Sequence, residues 1–319
     1  MKMDNHNADR KGVTRRRLLQ GAAGAVAAAA VAGSTEASQL GLRKRTKEQP
    51  RQSKQGVVNG RINQSVCHWC FTGDGSPEPW TLEQCCQHAV DLGVKSVELV
   101  DAKNWDLLKK YGLTCAMANS HGFVRGLNDK ANHDWAIDIL KRGIDNCADA
   151  GFPTVITFSG FRNGIPDDVG LDNTVAGLKK VIGYAEKKKV NLCIEVLNSR
   201  VDQAMKGHPG YMCDTVEWAY EVCDRIASPR MTYLFDIYHV QVMQGDIITR
   251  IRDYHKYIGH YHTAGCPGRN EMDDTQEINY PPIMREIVKT GYKGYVGQEF
   301  IPTRNPLQSL REAVTLCDV

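Results

Sequence analysis

The chain has 319 residues, 42% of them hydrophobic and 24% charged, which suits a globular protein with a sizeable core. Residues 1–60 carry 12 Lys and Arg against 4 Asp and Glu, whereas residues 61–319 carry 28 against 33. The basic charge therefore belongs to the N-terminal segment, and the remainder has a net charge of −5. This balance argues against a nucleic-acid-binding body, because such a protein needs a basic face.

The first residues resemble a twin-arginine export signal. Arg15 and Arg16 precede two leucines and an Ala-rich run that is too short to predict a membrane span in the mature protein. We therefore predict a signal peptide at 1–37, recognised by the twin-arginine translocase, and a basic polar linker at 38–60. The protein would then be exported to the periplasm. The alternative is a basic tail without signal activity and a cytoplasmic protein.

From residue 61 onward, short β-rich runs alternate with amphipathic helical patterns. The predicted strands are 61–70, 96–100, 114–120, 154–159, 191–197, 231–238, 260–264 and 295–301. The clearest predicted helices are 81–93, 134–151, 174–189, 215–226, 282–292 and 306–317. Eight strand–helix units in roughly 260 residues match a (β/α)8 TIM barrel. An open doubly wound sheet would offer a Gly-rich phosphate loop after its first strand, and none follows here. We predict an α/β fold with one TIM-barrel domain at 61–319.

All eleven cysteines follow residue 60, and their irregular spacing favours buried free thiols over a disulfide framework. The conspicuous CHWC stretch at 67–70 lacks the second ligand pair that a zinc hook needs. The strand pattern instead predicts that the first strand continues through it, with Cys67 and Trp69 on one face and His68 and Cys70 on the other. Either His68 or Trp69 could then edge the pocket.

Four consecutive late strands each carry one hard metal-ligand side chain near the C-terminal end. These residues are Glu195, Asp236, His262 and Glu299. A single such carboxylate has an ordinary explanation as an ion pair or a strand-end hydrogen bond. Four together at the mouth where TIM barrels place their active sites favour a metal, and their oxygen-rich set suits Mn²⁺ or Mg²⁺.

Long motifs in the second half resemble the hydroxypyruvate isomerase family. They are IEVLN (194–198), FDIYHVQVMQGD (235–246), IGHYHTAGCPGRNE (258–271), QEINY (276–280) and GYVGQEF (294–300). The family belongs to the xylose-isomerase-like TIM barrels, with the sugar 3-epimerases and inosose dehydratases. The resemblance implies that the four late-strand residues hold a divalent metal and that Glu195 and Glu299 transfer protons. Bacterial hydroxypyruvate isomerases place Gln where this chain has His262, whereas the sugar epimerases place His there.

The implied reaction is isomerisation of a small hydroxy-carbonyl compound through an enediolate, with hydroxypyruvate giving 2-hydroxy-3-oxopropanoate. The candidate substrate-binding residues are His239, Arg269, His121 and His68. Arg269 could hold a substrate carboxylate through two parallel hydrogen bonds.

The alternatives are a ketose 3-epimerase or dehydratase, an endonuclease IV-like phosphodiesterase, and a binding protein without catalysis. The phosphodiesterase would need more histidines at strand ends and a basic face. A homo-oligomer is compatible with the sequence.

Overall fold

The computed structural model describes residues 56–73 and 75–319. The predicted signal peptide at 1–37 and the linker residues 38–55 lie outside the described residues. Residues 56–60, also assigned to the linker, lie against the C-terminal end of the chain, where the Asp318 carboxylate accepts hydrogen bonds from the backbone of Val58, Asn59 and Gly60. Among the described residues, no helix is long and apolar enough to cross a membrane.

A parallel sheet of seven strands forms the centre of the described region, in the order β2-β1-β7-β6-β5-β4-β3. The strands are β1 (Asn63–Cys67), β2 (Ser96–Glu98), β3 (Thr154–Thr157), β4 (Asn191–Glu195), β5 (Met231–Asp236), β6 (Ile258–Thr263) and β7 (Tyr295–Gln298). Nearly every strand residue is buried, as expected for a parallel sheet whose outer face is covered by helices. The predicted α/β barrel class is confirmed.

The predicted strand at 114–120 does not form a regular strand, although its chain fills the gap between β2 and β3. Val97 N donates to Thr114 O on one side, and Ala118 N donates to Thr154 O on the other, at 3.1 and 2.9 Å. Between them, the Ala116 N–H donates to the Ser96 hydroxyl instead of to a backbone carbonyl. This side-chain acceptor interrupts the ladder. The segment therefore closes the barrel through two isolated bridges.

Eleven α-helices flank the sheet within the described residues. They are α1 (His68–Thr72), α2 (Leu82–Asp91), α3 (Trp105–Lys110), α4 (His133–Ala150), α5 (Asp167–Lys179), α6 (Ile182–Lys188), α7 (Val216–Ile226), α8 (Ile237–Met243), α9 (Ile247–Tyr254), α10 (Tyr280–Lys289) and α11 (Pro306–Cys317). Local signals define several ends: Thr81 and Gln84 form a capping box at α2, and Gly151 ends α4 in the left-handed conformation.

The helix predicted at 174–189 is wrong in its start and its continuity. The chain forms α5 from Asp167, where two aspartates in the first turn favour a helix N-terminus. It then breaks before α6, because Lys180 and Val181 donate to carbonyls three residues earlier and tighten the turn. Val181 is fully buried, so this turn keeps a core side chain in place.

The prediction that the first strand runs through CHWC is also wrong. β1 ends at Cys67, and the short helix α1 begins at His68. The helical turn buries Phe71 against Trp80, with ring centroids 5.0 Å apart, a contact that a continued strand would not make. All eleven cysteines lie among the described residues, and they are buried and free. The prediction of buried thiols is therefore confirmed.

Candidate active site

Four side chains from four neighbouring strand ends converge at the mouth of the barrel. They are Glu195 at the end of β4, Asp236 at the end of β5, His262 in β6 and Glu299 directly after β7. Each offers one ligand atom, and these atoms all lie within 4.8 Å of one another. All four side chains are buried, with at most 5% of any residue exposed. The structure thus brings together the four residues that the sequence predicts as metal ligands.

The contacts inside this cluster fit a shared cation better than a hydrogen-bonded network. His262 Nδ1 lies 2.8 Å from Glu299 Oε2 and 3.5 Å from Glu195 Oε1, yet this nitrogen makes no hydrogen bond. Glu195 Oε1 is likewise buried without a hydrogen-bond partner. A ring nitrogen and carboxylate oxygens that converge at such short range without a hydrogen bond are an arrangement that a divalent ion satisfies, and three carboxylates with one imidazole suit a hard ion.

Arg269 and Trp69 hold Glu299 from the cavity side. Arg269 Nη2 donates to Glu299 Oε2 and lies 3.5 Å from Asp236 Oδ2, while the indole Nε1–H of Trp69 donates to Glu299 Oε1 at 3.1 Å. Arg269 is only 3% exposed although it lies in a loop, and its Nη1 donates to the carbonyl of Met205. The guanidinium is therefore part of the site rather than a solvated loop charge.

The three carboxyl groups differ in their acidity. Burial raises the pKa of Glu195 and raises that of Asp236 to about 8. Burial also acts on Glu299, but the charge of Arg269 outweighs it and holds the pKa of this carboxyl well below its usual value. Glu195 is thus the better proton acceptor, and Glu299 favours the ionised form. A bound cation would favour the ionised form of all three.

Glu98 is a functional candidate that the sequence reasoning missed. Its Oε1 lies 2.7 Å from His262 Nε2 and 3.0 Å from His260 Nε2, and the carboxylate is fully buried. Burial raises the pKa of Glu98, but the two histidines outweigh it and lower the pKa far below its usual value. The available signal was a glutamate inside the apolar run SVELV, the same signal that identified the late-strand carboxylates.

A cavity of about 260 Å³ opens beside the cluster and provides space for a small substrate. Its wall is largely apolar, and it is lined by Trp69, Leu99, Asn119, Ser120, Gly122, Phe123, Ile156, Phe158, Glu195, Leu197, Met205, His208, Arg269 and Glu299. His208, which is not among the predicted substrate-binding residues, also lies in this wall. Burial lowers the pKa of His208 to about 4, so it is neutral near pH 7.

The remaining predicted substrate-binding histidines lie behind or beside the cavity. His239 is fully buried behind Asp236, and its Nδ1 accepts a hydrogen bond from Asn198 N at 3.1 Å. His121 packs against Phe158 with its Nε2 3.0 Å from the Thr157 hydroxyl. His68 begins α1, and its neighbour Trp69 lines the cavity instead. Of the predicted set, Arg269 lines the cavity.

A comparison with known protein families identifies this chain's fold group. The family model described as xylose isomerase-like TIM barrel matches residues 86–317. Solved structures agree on the fold: an AP endonuclease of family 2 from Brucella melitensis has a TM-score of 0.66 at 21% identity, covering 78% of this chain and 97% of that one. An L-ribulose 3-epimerase has a TM-score of 0.65 at 18% identity, covering 81% and 94%.

Relatives with assigned names are similar at modest identity. A putative hydroxypyruvate isomerase of Homo sapiens is 29% identical over 133 residues, covering 42% of this chain and 46% of the relative. A 2-oxo-tetronate isomerase of Pectobacterium atrosepticum is 26% identical over 232 residues, covering 67% and 84%. The hydroxypyruvate isomerase of Escherichia coli K12 is 31% identical over 137 residues, covering 43% and 50%. The chain spans about half the length of most of these relatives.

Proposed function

The chain belongs to the xylose isomerase-like TIM barrel family, and from this premise we propose that it is a divalent-metal-dependent isomerase of small hydroxy-carbonyl acids. The preferred reaction converts hydroxypyruvate to 2-hydroxy-3-oxopropanoate. The observation that carries the proposal is the cluster of Glu195, Asp236, His262 and Glu299 beside a cavity that also contains Arg269. The names of the relatives in humans and Escherichia coli support the same chemistry.

The two glutamates have the properties that a proton shuttle requires. A divalent ion held by the four-residue cluster, either Mn²⁺ or Mg²⁺, would polarise the substrate carbonyl and acidify the neighbouring C–H. Glu195 accepts the proton from the hydroxymethyl carbon, because its carboxylate lines the cavity in which the substrate would lie. The hydroxyl proton moves to the former carbonyl oxygen, and a proton returned by Glu195 or Glu299 to the adjacent carbon completes the isomerisation.

Arg269 provides the recognition of the substrate carboxylate in this proposal. Its Nε–H is buried and has no hydrogen-bond partner, so the guanidinium keeps a donor available while it holds Glu299. A guanidinium binds a carboxylate with directional, charge-assisted hydrogen bonds. The apolar wall formed by Leu99, Ile156 and Phe158 excludes water from the reacting carbons.

A ketose 3-epimerase is the second candidate. It is favoured by His262, the residue type that the sugar epimerases place at this position, and by the fold shared with L-ribulose 3-epimerase. An endonuclease-like activity is disfavoured. Such an enzyme clusters several zinc ions, whereas every candidate ligand group among the described residues includes the same His262.

The proposal is tested by an activity panel on the full chain stripped of metal and reloaded with Mn²⁺ or Mg²⁺. Hydroxypyruvate, 2-oxo-tetronate and unbranched ketoses are offered as substrates. We expect turnover of the keto acids and its loss in Glu299→Gln, with Glu286→Gln on the outer helix α10 as the matched control. Full activity of Glu299→Gln, or turnover of ketoses alone, would refute the preferred reaction.

We further propose export through the twin-arginine translocase, supported by the Arg15–Arg16 pair and the Ala-rich run that follows it. Fractionation of cells that express the full chain should place it in the periplasm. The double substitution Arg15→Lys and Arg16→Lys should retain it in the cytoplasm. An unchanged distribution would contradict this proposal.

A further inference from the structure

We infer that Glu98 is a positioning residue, which holds the His262 imidazole in the orientation and tautomer that present its Nδ1 electron pair to the carboxylate cluster. His260 and Cys67 complete the support around the same oxygen of Glu98. The inference rests on the proposed function only in assuming that the cluster binds a metal. It assigns a role to three buried residues outside the cluster itself.

The central contact is a hydrogen bond across the barrel interior. His262 Nε2 lies 2.7 Å from Glu98 Oε1, and both side chains are fully buried. An imidazole that binds a metal is neutral, so one ring nitrogen carries the proton and the other offers its electron pair to the ion. A proton on Nε2 that is directed at Glu98 therefore leaves the electron pair on Nδ1, the atom that lies 2.8 Å from Glu299 Oε2.

The environment of Glu98 Oε1 supports its role as an acceptor. Besides His262, the oxygen is approached by His260 Nε2 at 3.0 Å and by the Cys67 thiol at 3.3 Å. An ionised carboxylate oxygen can only accept, so these three contacts require a hydrogen on both Nε2 atoms and on the thiol. Because a buried carboxylate is costly without such donors, the three contacts also explain how Glu98 is tolerated in the interior.

The barrel backbone is adapted to this contact. Glu98 ends β2 and His262 lies in β6, and strands β1 and β7 separate these two strands in the sheet. Gly297 of β7 is the register partner of His262, and a Cβ at this position would lie 2.6 Å from Glu98 Oε1 and 2.9 Å from His262 Cδ2. The absence of a side chain at 297 therefore provides the space through which the two side chains meet.

A second metal site formed by Glu98, His260 and His262 is the competing explanation, since their ligand atoms are also close together. The contacts argue against it. Both histidine Nε2 atoms are already at hydrogen-bond distance from one carboxylate oxygen. None of the three residues is among those that line the substrate cavity. Support of a neighbouring ligand by such a hydrogen bond is a recurrent device in metalloproteins.

The test is a pair of measurements on the full chain that do not depend on turnover. The metal is stripped, and Mn²⁺ is titrated into the wild type, Glu98→Gln and Glu286→Gln. Glu286 is a buried glutamate on the outer helix α10 that pairs with Arg252, so its substitution controls for the loss of a buried carboxylate. We expect Glu98→Gln to weaken Mn²⁺ binding about 10- to 100-fold and the control to bind as the wild type does.

The second measurement uses ¹⁵N-histidine NMR of the wild type loaded with diamagnetic Mg²⁺, which requires no variant to fold. We expect the His262 ring to be the Nε2–H tautomer. A proton on Nδ1, or an Mn²⁺ dissociation constant of folded Glu98→Gln within threefold of the wild type, would overturn the inference. These readouts stay decisive if the isomerase proposal fails, because neither one involves a substrate.

Discussion

Replacing Gly297 by alanine would test how closely the barrel wall is fitted to the Glu98–His262 contact. The backbone at this position does not require a glycine for its conformation, because its φ lies outside the positive range. The cost is therefore purely steric. An added methyl group would lie 2.6 Å from Glu98 Oε1 and 2.9 Å from His262 Cδ2, where ordinary contacts begin near 3.4 Å.

The size of the effect follows from these distances. Glu98 Oε1 must retreat by about 0.8 Å, which lengthens its 2.7 Å contact with His262 toward the limit of a hydrogen bond. Overpacking of a buried site costs about 1–3 kcal/mol. For a domain of this size we expect the melting temperature to fall by about 2–6 °C. Mn²⁺ affinity should fall about tenfold, because the His262 imidazole loses the hydrogen bond to Glu98 that orients it.

Thermal unfolding followed by circular dichroism and titration with Mn²⁺ measure the two effects on the same preparation. Gly183→Ala is the matched control. Gly183 lies in α6 with no atom within 4 Å of the added methyl group, so its substitution should stabilise the protein by about 0.5–1 kcal/mol without changing metal affinity. A wild-type melting temperature and metal affinity in Gly297→Ala would refute the steric argument.

Three further outcomes are expected. Trp69→Phe removes the indole N–H that donates to Glu299 and should lower kcat about 10-fold, measured with hydroxypyruvate at saturation; an unchanged kcat would contradict this role. Arg269→Lys should raise KM for hydroxypyruvate about 10- to 100-fold but leave KM for an uncharged ketose nearly unchanged, and an equal rise for both would argue against carboxylate recognition. Arg252 and Lys289 lower the pKa of Glu286 from 4.5 to about 2. The ion pairs of Glu286 with these two residues therefore stabilise the fold above pH 4.5, and their contribution is lost as the pH falls toward 2. Urea unfolding should therefore show a steeper loss of stability over that range in the wild type than in Glu286→Gln, and parallel curves would contradict it.

The barrel class could be predicted from the sequence, because the alternation of strands and helices follows from local hydrophobic periodicities. Most helices and strands appear within a few residues of their predicted positions, since capping residues and apolar spacing act over one or two turns. The errors arose where a distant contact overrode the local pattern. β1 ends early so that Phe71 packs on Trp80, and the segment at 114–118 loses its ladder to the Ser96 hydroxyl.

In the candidate site as well, some residues could be predicted from the sequence and others could not. Glu195, Asp236, His262 and Glu299 were identifiable because each carries charge or an imidazole at a strand end, and parallel strand ends share one mouth in any TIM barrel. Trp69 was only one of two options in a stretch whose secondary structure was mispredicted. The burial of Arg269 could not be read from its loop, because it depends on carboxylates 30 and 33 residues away along the chain.

By itself, the sequence predicted the barrel and the convergence of Glu195, Asp236, His262 and Glu299 at its mouth, because these follow from residue type, spacing and the shared geometry of parallel strands. Only the tertiary structure decided which side chains contact these four residues. Glu98 and His262 are separated by 164 residues and meet through the space beside Gly297. Such a contact depends on sub-ångström packing across the barrel, and no local pattern in the chain encodes that distance.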